Sequence, residues 1–97
     1  MKEKMTAEAL KTALEGNGCH PDLVVRKRDG TFRVVHSFYY RHGMNSKKWA
    51  DNVFAALTKA RIACVIEDYF EHYHGFVGGA KTGSSQDSYF ETVVRLN

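Results

Sequence analysis

The sequence has few of the residues that tie a small chain together covalently or hold it in a membrane. It contains two cysteines and one proline among its 97 residues. Cys19 and Cys64 have no other cysteine near them in the sequence, so they do not form a zinc-binding pattern. A run of about 18 apolar residues, which a membrane-spanning helix needs, is missing. The N-terminal segment also lacks the apolar stretch of a signal peptide. We therefore expect a cytoplasmic protein with reduced thiols and no membrane contact.

Common catalytic signatures are missing too. The chain has no G-x-S-x-G elbow, no Walker loop and no C-x-x-C pair. The glycine-rich residues 75–83 lack a G-K-[ST] in the register of a phosphate loop, and we interpret them as a hairpin loop. On a strand, alternation would separate Asp68 from Glu67 and Glu71, which argues against a catalytic carboxylate pair. These absences predict a protein that is not an enzyme and needs no cofactor.

Two histidines keep a metal site open as an alternative. His72 and His74 are two residues apart, so on a strand their side chains would share a face. A third ligand would have to come from His36, His42 or an acidic residue. The competing interpretation is that these histidines only modulate local charge. A metal-dependent enzyme is therefore an alternative hypothesis, and our expectation is that no metal is bound.

The composition is that of one globular domain over residues 1–97, with 43% hydrophobic and 26% charged residues. Its net charge of +3 hides an uneven distribution along the chain. Residues 23–48 contain seven basic residues and one acidic residue, whereas residues 67–91 contain five acidic residues and one basic residue. A basic segment of this kind suits phosphates or an acidic protein partner.

Hydrophobic periodicity predicts two helices and four strands. Thr6 would cap the first helix, and Asn45 or Ser46 would cap the second. An Asp-Gly pair at residues 29–30 predicts a hairpin, and Asp68 predicts a bulge or an edge position in the third strand. The predicted elements are a helix at 6–15, strands at 23–28 and 31–41, a helix at 45–60, and strands at 62–73 and 89–96. The order α-β-β-α-β-β predicts an α+β domain with an antiparallel sheet and both helices on one face.

A two-residue turn at Asp29-Gly30 would place Arg26 opposite Arg33. Alternation then predicts a helix-facing set, which consists of Leu23, Val25, Phe32, Val34, His36, Phe38 and Tyr40. The opposite, open face would carry the candidate binding residues Arg26, Arg28, Arg33, Tyr39 and Arg41, with Lys47 and Lys48 nearby at the start of the second helix. The aromatic stretch at residues 36–43 (HSFYYRHG) is thereby divided between the two faces.

Arginine and tyrosine on one open face suit a macromolecular partner. They are enriched in protein hot spots, and they also contact nucleic-acid backbones and stacked bases. The competing interpretation is a solvated sheet face covered by long side chains. Self-association is a further possibility, because the last strand could be an edge with Val93 exposed, and two sheets could pair across it.

Four segments resemble small uncharacterised accessory proteins of bacteriophages and prophages. They are residues 28–44 (RDGTFRVVHSFYYRHGM), 48–54 (KWADNVF), 75–80 (GFVGGA) and 88–94 (SYFETVV). The resemblance covers about residues 23–96 and rests mainly on turn and core positions. It implies a host protein or nucleoprotein complex as partner, including inhibition of a bacterial defence system such as CRISPR. It implies no functional residue.

The element order also resembles half of a LAGLIDADG homing endonuclease. In that family the first helix ends in an acidic pair. Glu15 matches the first acid, whereas Asn17 stands where the second, metal-binding acid would be. This resemblance implies a DNA-binding remnant without the full metal site.

Overall fold

The computed structural model describes residues 5–38, 45–72 and 88–97. These residues form two helices and a four-stranded antiparallel sheet. The elements are α1 (Ala7–Glu15), β1 (Leu23–Arg26), β2 (Phe32–Phe38), α2 (Ser46–Lys59), β3 (Cys64–His72) and β4 (Ser88–Leu96). The α-β-β-α-β-β order expected from the sequence is confirmed.

The N-terminus of each helix is capped by the side chain of the preceding residue. The Thr6 hydroxyl accepts a hydrogen bond from the Ala9 amide at 3.0 Å, and the Asn45 side chain accepts one from the Lys48 amide at 2.8 Å. Such caps satisfy amides that have no partner within the helix. The apolar stripe of each helix is buried. Its buried residues are Leu10 and Leu14 in α1, and Trp49, Ala50, Val53, Ala56 and Leu57 in α2.

The strand order is β1-β2-β4-β3, so β1 and β3 form the two edges. The last strand, β4, pairs with β2 on one side and with β3 on the other. Our expectation that β4 could be a free edge with Val93 exposed is therefore wrong, and Val93 is only 8% exposed. The expectation of a bulge or edge position in β3 is confirmed on both counts, because the register shifts between Ile66 and Asp68.

The first hairpin has a three-residue loop, not the predicted two-residue turn. The Lys27 amide donates to the Thr31 carbonyl at 2.7 Å, and the Gly30 amide donates to the Lys27 carbonyl at 3.0 Å. Gly30 has a φ of 91°, whereas Asp29 is not in the positive-φ region. The Asp29 carboxylate instead accepts hydrogen bonds from the Thr31 amide and hydroxyl, at 2.9 and 2.6 Å. This is the geometry of a turn closed by a glycine bulge.

The extra loop residue moves β1 by one position relative to the prediction. Val24 pairs with Val34, and Arg26 pairs with Phe32. Val24 is therefore buried on the helix side, whereas Leu23 is 46% exposed on the opposite side. The predicted faces of β1 are wrong, while those of Phe32 and Val34 in β2 are confirmed.

The bulge in β3 likewise reverses the predicted faces beyond it. Cys64 and Ile66 pack against the core, as the alternation predicts. After the bulge, Tyr69 pairs with the buried Thr92 and Phe70 pairs with Glu91. Strict alternation along the third strand predicts that Cys64, Ile66 and Phe70 share a face. Phe70 instead lies on the face opposite to Cys64, so this prediction is wrong.

The core lies between the helices and one face of the sheet, so the predicted two-layer arrangement is confirmed. His36 faces this layer and stacks on Trp49 with ring centroids 4.6 Å apart. The Trp49 indole donates to the Val34 carbonyl at 3.1 Å, which ties α2 to the central sheet. Within the described residues, no helix is both long enough and apolar enough to cross a membrane.

Candidate binding surface

We define the open face as the side of the sheet turned away from α1 and α2. Cross-strand partners share a face of a sheet, so the pairing fixes its members. They include Leu23 and Val25 of β1, Arg33 and Val35 of β2, Val65, Phe70 and His72 of β3, and Tyr89, Glu91, Val93 and Arg95 of β4.

A carboxylate at the centre of this face receives a two-pronged arginine contact. Arg33 donates from Nε to Glu91 Oε2 at 2.9 Å and from Nη2 to Oε1 at 3.0 Å. The Glu91 side chain is 6% exposed and that of Arg33 is 30% exposed. The hydrogen bond to Glu91 is the main cause that raises the pKa of Arg33. Removing the arginine from a carboxylate with this geometry is destabilising, because it leaves a buried charge without its partner.

His72 contacts the same carboxylate from β3. Its Nε2 lies 3.2 Å from Glu91 Oε1. The imidazole also stacks on Tyr89 with centroids 4.4 Å apart and meets the Phe70 ring edge-on at 4.9 Å. An arginine, a histidine and two aromatic rings are thus gathered around one buried glutamate. We call Arg33, His72, Glu91 and Tyr89 the Glu91 cluster.

A second arginine–glutamate contact lies near the β3 bulge. Arg95 donates from Nε and Nη2 to the Glu67 carboxylate, and this contact is the main cause that raises the pKa of Arg95. Glu67 is the extra residue of the bulge, and its carboxylate reaches Arg95, which pairs with Val65. The two arginines of the open face among the described residues are therefore both bound to carboxylates.

The structure does not bring the predicted binding residues together as one patch. Arg33 lies on the open face, but Arg26 lies on the helix side, because it pairs with Phe32. The predicted Arg26–Arg33 pair is therefore wrong. Arg28 is exposed in the hairpin loop, and Lys47 is paired with Asp51 on α2 at 3.5 Å. Lys48 lies beside Lys47 in the first turn of α2, and Tyr39 and Arg41 lie outside the described residues.

Sequence reasoning missed the roles of Glu91 and His72. The available signal was an acidic residue in the middle of an otherwise apolar β-strand, in the stretch Phe90–Glu91–Thr92–Val93. A buried acid in such a position needs a cationic partner. Its partner lies 58 residues away in sequence, so identifying Arg33 required the strand order.

The described residues do not assemble a metal site or an acidic pair at α1. No group of three histidine, cysteine or acidic residues within them is placed to hold a metal ion, and His74 lies outside them. Glu15 Oε2 lies 4.0 Å from Lys11 Nζ, and the Asn17 side-chain amide donates from Nδ2 to the Ala13 carbonyl at 2.8 Å. These two residues thus stabilise the end of α1.

The two cysteines are free thiols in the structure. Cys19 is 1% exposed, and burial raises its pKa to about 11. Burial also raises the pKa of the partly buried Cys64. A raised pKa disfavours the thiolate, so neither residue has the environment of an activated nucleophile.

Comparisons of the chain with protein-family models, with curated proteins and with solved structures found no match.

Proposed function

We propose that this is a small, non-enzymatic binding protein that occupies a protein or nucleoprotein complex of a bacterial host through its open face. The observation that carries the proposal is the Glu91 cluster, which gathers arginine, tyrosine and histidine on a surface without a covering helix among the described residues. Arginine and tyrosine fixed in this way are typical anchors of protein interfaces.

The charge balance favours a protein as the contacting component. Glu91 neutralises Arg33, and Glu67 neutralises Arg95. Arginines already bound to carboxylates have little charge left for phosphates. Exposed apolar side chains lie on the same face, with Leu23 and Val65 each 46% exposed. Apolar, aromatic and charge-balanced surface is the composition expected at the centre of a protein interface.

The resemblance to phage accessory proteins supports a host target. A small protein that acts by covering a surface of its target needs no active site of its own. A bacterial defence complex, such as a CRISPR effector, is the partner class that we propose. The cytoplasm of the host cell is the corresponding place of action.

The test is recovery of the partner from bacterial lysate with tagged protein, before and after nuclease treatment. We expect one stoichiometric protein partner that survives nuclease. Val65→Lys and Leu23→Lys should each reduce its recovery at least tenfold, because a desolvated lysine is costly at an interface. Phe54→Lys is the matched control, since Phe54 is 45% exposed but lies on α2.

Circular dichroism must first show that all three variants are folded. Equal recovery with wild-type protein and both open-face variants would remove the open face from the proposal. Loss of recovery with Phe54→Lys alone would move the interface to the helical layer.

A second candidate function, nucleic-acid binding, is favoured by the first hairpin. Arg26, Lys27 and Arg28 are three consecutive exposed cations, and no ion pair joins them to another described residue. Their contacts with phosphates would make affinity fall with salt. Arg28→Ser should lower the slope of log affinity against log salt by about 0.9 for duplex DNA, the value for one phosphate contact. Lys59→Ser, a change of the same charge on α2, should leave the slope unchanged.

A further inference from the structure

Within the part of the chain that the structure describes, the two edge strands of the sheet carry opposite charge. At one edge, β1 leads through Arg26 and Lys27 into the exposed Arg28. At the other edge, β3 carries the exposed Asp68, next to Glu67, whose carboxylate is bound to Arg95. Charged edge strands normally keep sheets apart, because two copies of one edge repel each other. Here that holds for β1 against β1 and for β3 against β3, but not for β1 against β3.

The side chains of the two edges also match along the strands. An antiparallel register that opposes Lys27 to Asp68 also opposes Arg26 to Tyr69 and Val25 to Phe70. The faces agree in this register. Val25 and Phe70 belong to the open face, whereas Arg26 and Tyr69 both lie on the helix side. The contacts would be an ion pair, a cation over an aromatic ring and an apolar pair, each favourable across strands.

The strand directions permit this pairing between copies in the same orientation. Neighbouring strands in the order β1-β2-β4-β3 are all antiparallel. Directions therefore alternate across the sheet, and β1 of a following copy would run antiparallel to β3. The helices of successive copies would then lie on one side of a continuous sheet.

We propose that β1 of one copy pairs with β3 of a second copy, so that the protein associates head to tail. The occupant of the β3 edge is a second copy of this chain. The contact joins two different surfaces and leaves one of each free, so it does not close at two copies. Because β1 spans only four residues, Leu23–Arg26, each contact is small and the association is weak. The inference is independent of the partner proposed for the open face.

The experiment measures weight-average mass by sedimentation over rising concentrations of the full chain at low salt. We expect the mass to rise past two copies without a plateau at the dimer, and to fall when salt is added. Lys27→Glu and Asp68→Lys should each keep the protein at one copy, because each substitution places two like charges opposite each other at the contact between residues 27 and 68. Lys59→Glu is the matched control and should associate like the wild type.

Mixing the two edge variants separates lost pairing from lost folding. In an equimolar mixture, the glutamate introduced at position 27 of one variant would lie opposite the lysine introduced at position 68 of the other, and the unchanged Lys27 would lie opposite the unchanged Asp68, so association should return. A wild-type mass of one copy at every concentration would overturn the proposal, and so would a plateau at two copies. Edge variants that associate like the wild type, or a mixture that stays at one copy, would also overturn it.

Discussion

Single side chains show most clearly how this sheet tolerates charge in its interior. Glu91 is 5% exposed although it faces away from the helices. Arg33 donates a hydrogen bond to each of its two oxygens, and His72 lies close to one of them. These contacts replace the water that an exposed carboxylate would bind. Removing one partner of such a pair costs more than removing both.

We predict that Arg33→Met lowers the free energy of unfolding by about 2 to 3 kcal/mol. This is below the ~3–5 kcal/mol of a fully buried pair, because Arg33 is partly exposed. The measurement is urea denaturation. Arg33→Met combined with Glu91→Leu should lose less than Arg33→Met alone, since no unpaired carboxylate remains. A double variant that loses the sum of both single changes would show that the pair is not coupled.

Unlike the Glu91 carboxylate, the buried Thr92 hydroxyl has no compensating contact among the described residues. Thr92 is fully buried between sheet and helices, and its hydroxyl has no hydrogen-bond partner there. We predict that Thr92→Val raises the free energy of unfolding by about 1 kcal/mol, because it replaces the hydroxyl with a methyl group of similar size. Thr92→Ser keeps the hydroxyl and removes the methyl group, so it should destabilise instead. Stability that falls with Thr92→Val would reveal a partner for the hydroxyl.

The helices could be predicted from the sequence, whereas the register of the first hairpin could not. Caps and helical stripes depend on neighbouring residues, and both helices begin at the predicted cap residues. Register depends on which residue of a turn takes a positive φ. Asp29 binds Thr31 through its side chain and leaves that role to Gly30, a choice that the Asp-Gly pattern does not settle. This one-residue difference moved Arg26 to the helix side and dispersed the predicted arginine patch.

We predict that Gly30→Ala destabilises the domain by about 1 kcal/mol. A Cβ at this position would meet no atom within 4 Å, so the cost comes from the φ of 91° alone. Gly16→Ala is the matched control. Gly16 has a φ of −70°, and a Cβ there would lie 3.5 Å from the Thr12 carbonyl oxygen, an ordinary contact. We expect this change to be neutral or slightly stabilising in thermal denaturation. Equal losses from both substitutions would contradict the strain argument.

The domain as a unit separates the charge imbalance of the sequence in space. The basic residues 23–48 contribute the β1 edge, and the acidic residues of β3 form the opposite edge. Between these edges, Arg33 of β2 and Glu91 of β4 neutralise each other's charge. The sequence predicted two charged segments, but only the strand order assigns them to opposite edges. Long-range pairing of this kind has no local signal, which is why the residues of the open face could not be derived from alternation.

The burial of Cys19 should make the stability of the whole domain depend on pH in the alkaline range. Its thiol is in the core between α1 and the sheet, where burial raises its pKa to about 11. The unfolded chain releases this proton near the ordinary thiol pKa of about 8.5. Between these two values the unfolded state binds fewer protons than the folded state, so stability falls as pH rises. Below pH ~8.5 the full contribution is present.

We predict that alkaline pH narrows the stability difference between the wild type and Cys19→Ala. Lysine and tyrosine residues ionise in the same range, but their effects cancel in this difference. The alanine variant is less stable at pH 7 because it loses buried volume. Its deficit should shrink by up to about 2 to 3 kcal/mol by pH 10.5, since only the wild type has a thiol at position 19 to ionise on unfolding. Urea denaturation of both proteins at pH 7, 9 and 10.5 measures it. A deficit that stays constant with pH would mean that Cys19 ionises equally in both states, and the core around it would then be open to water.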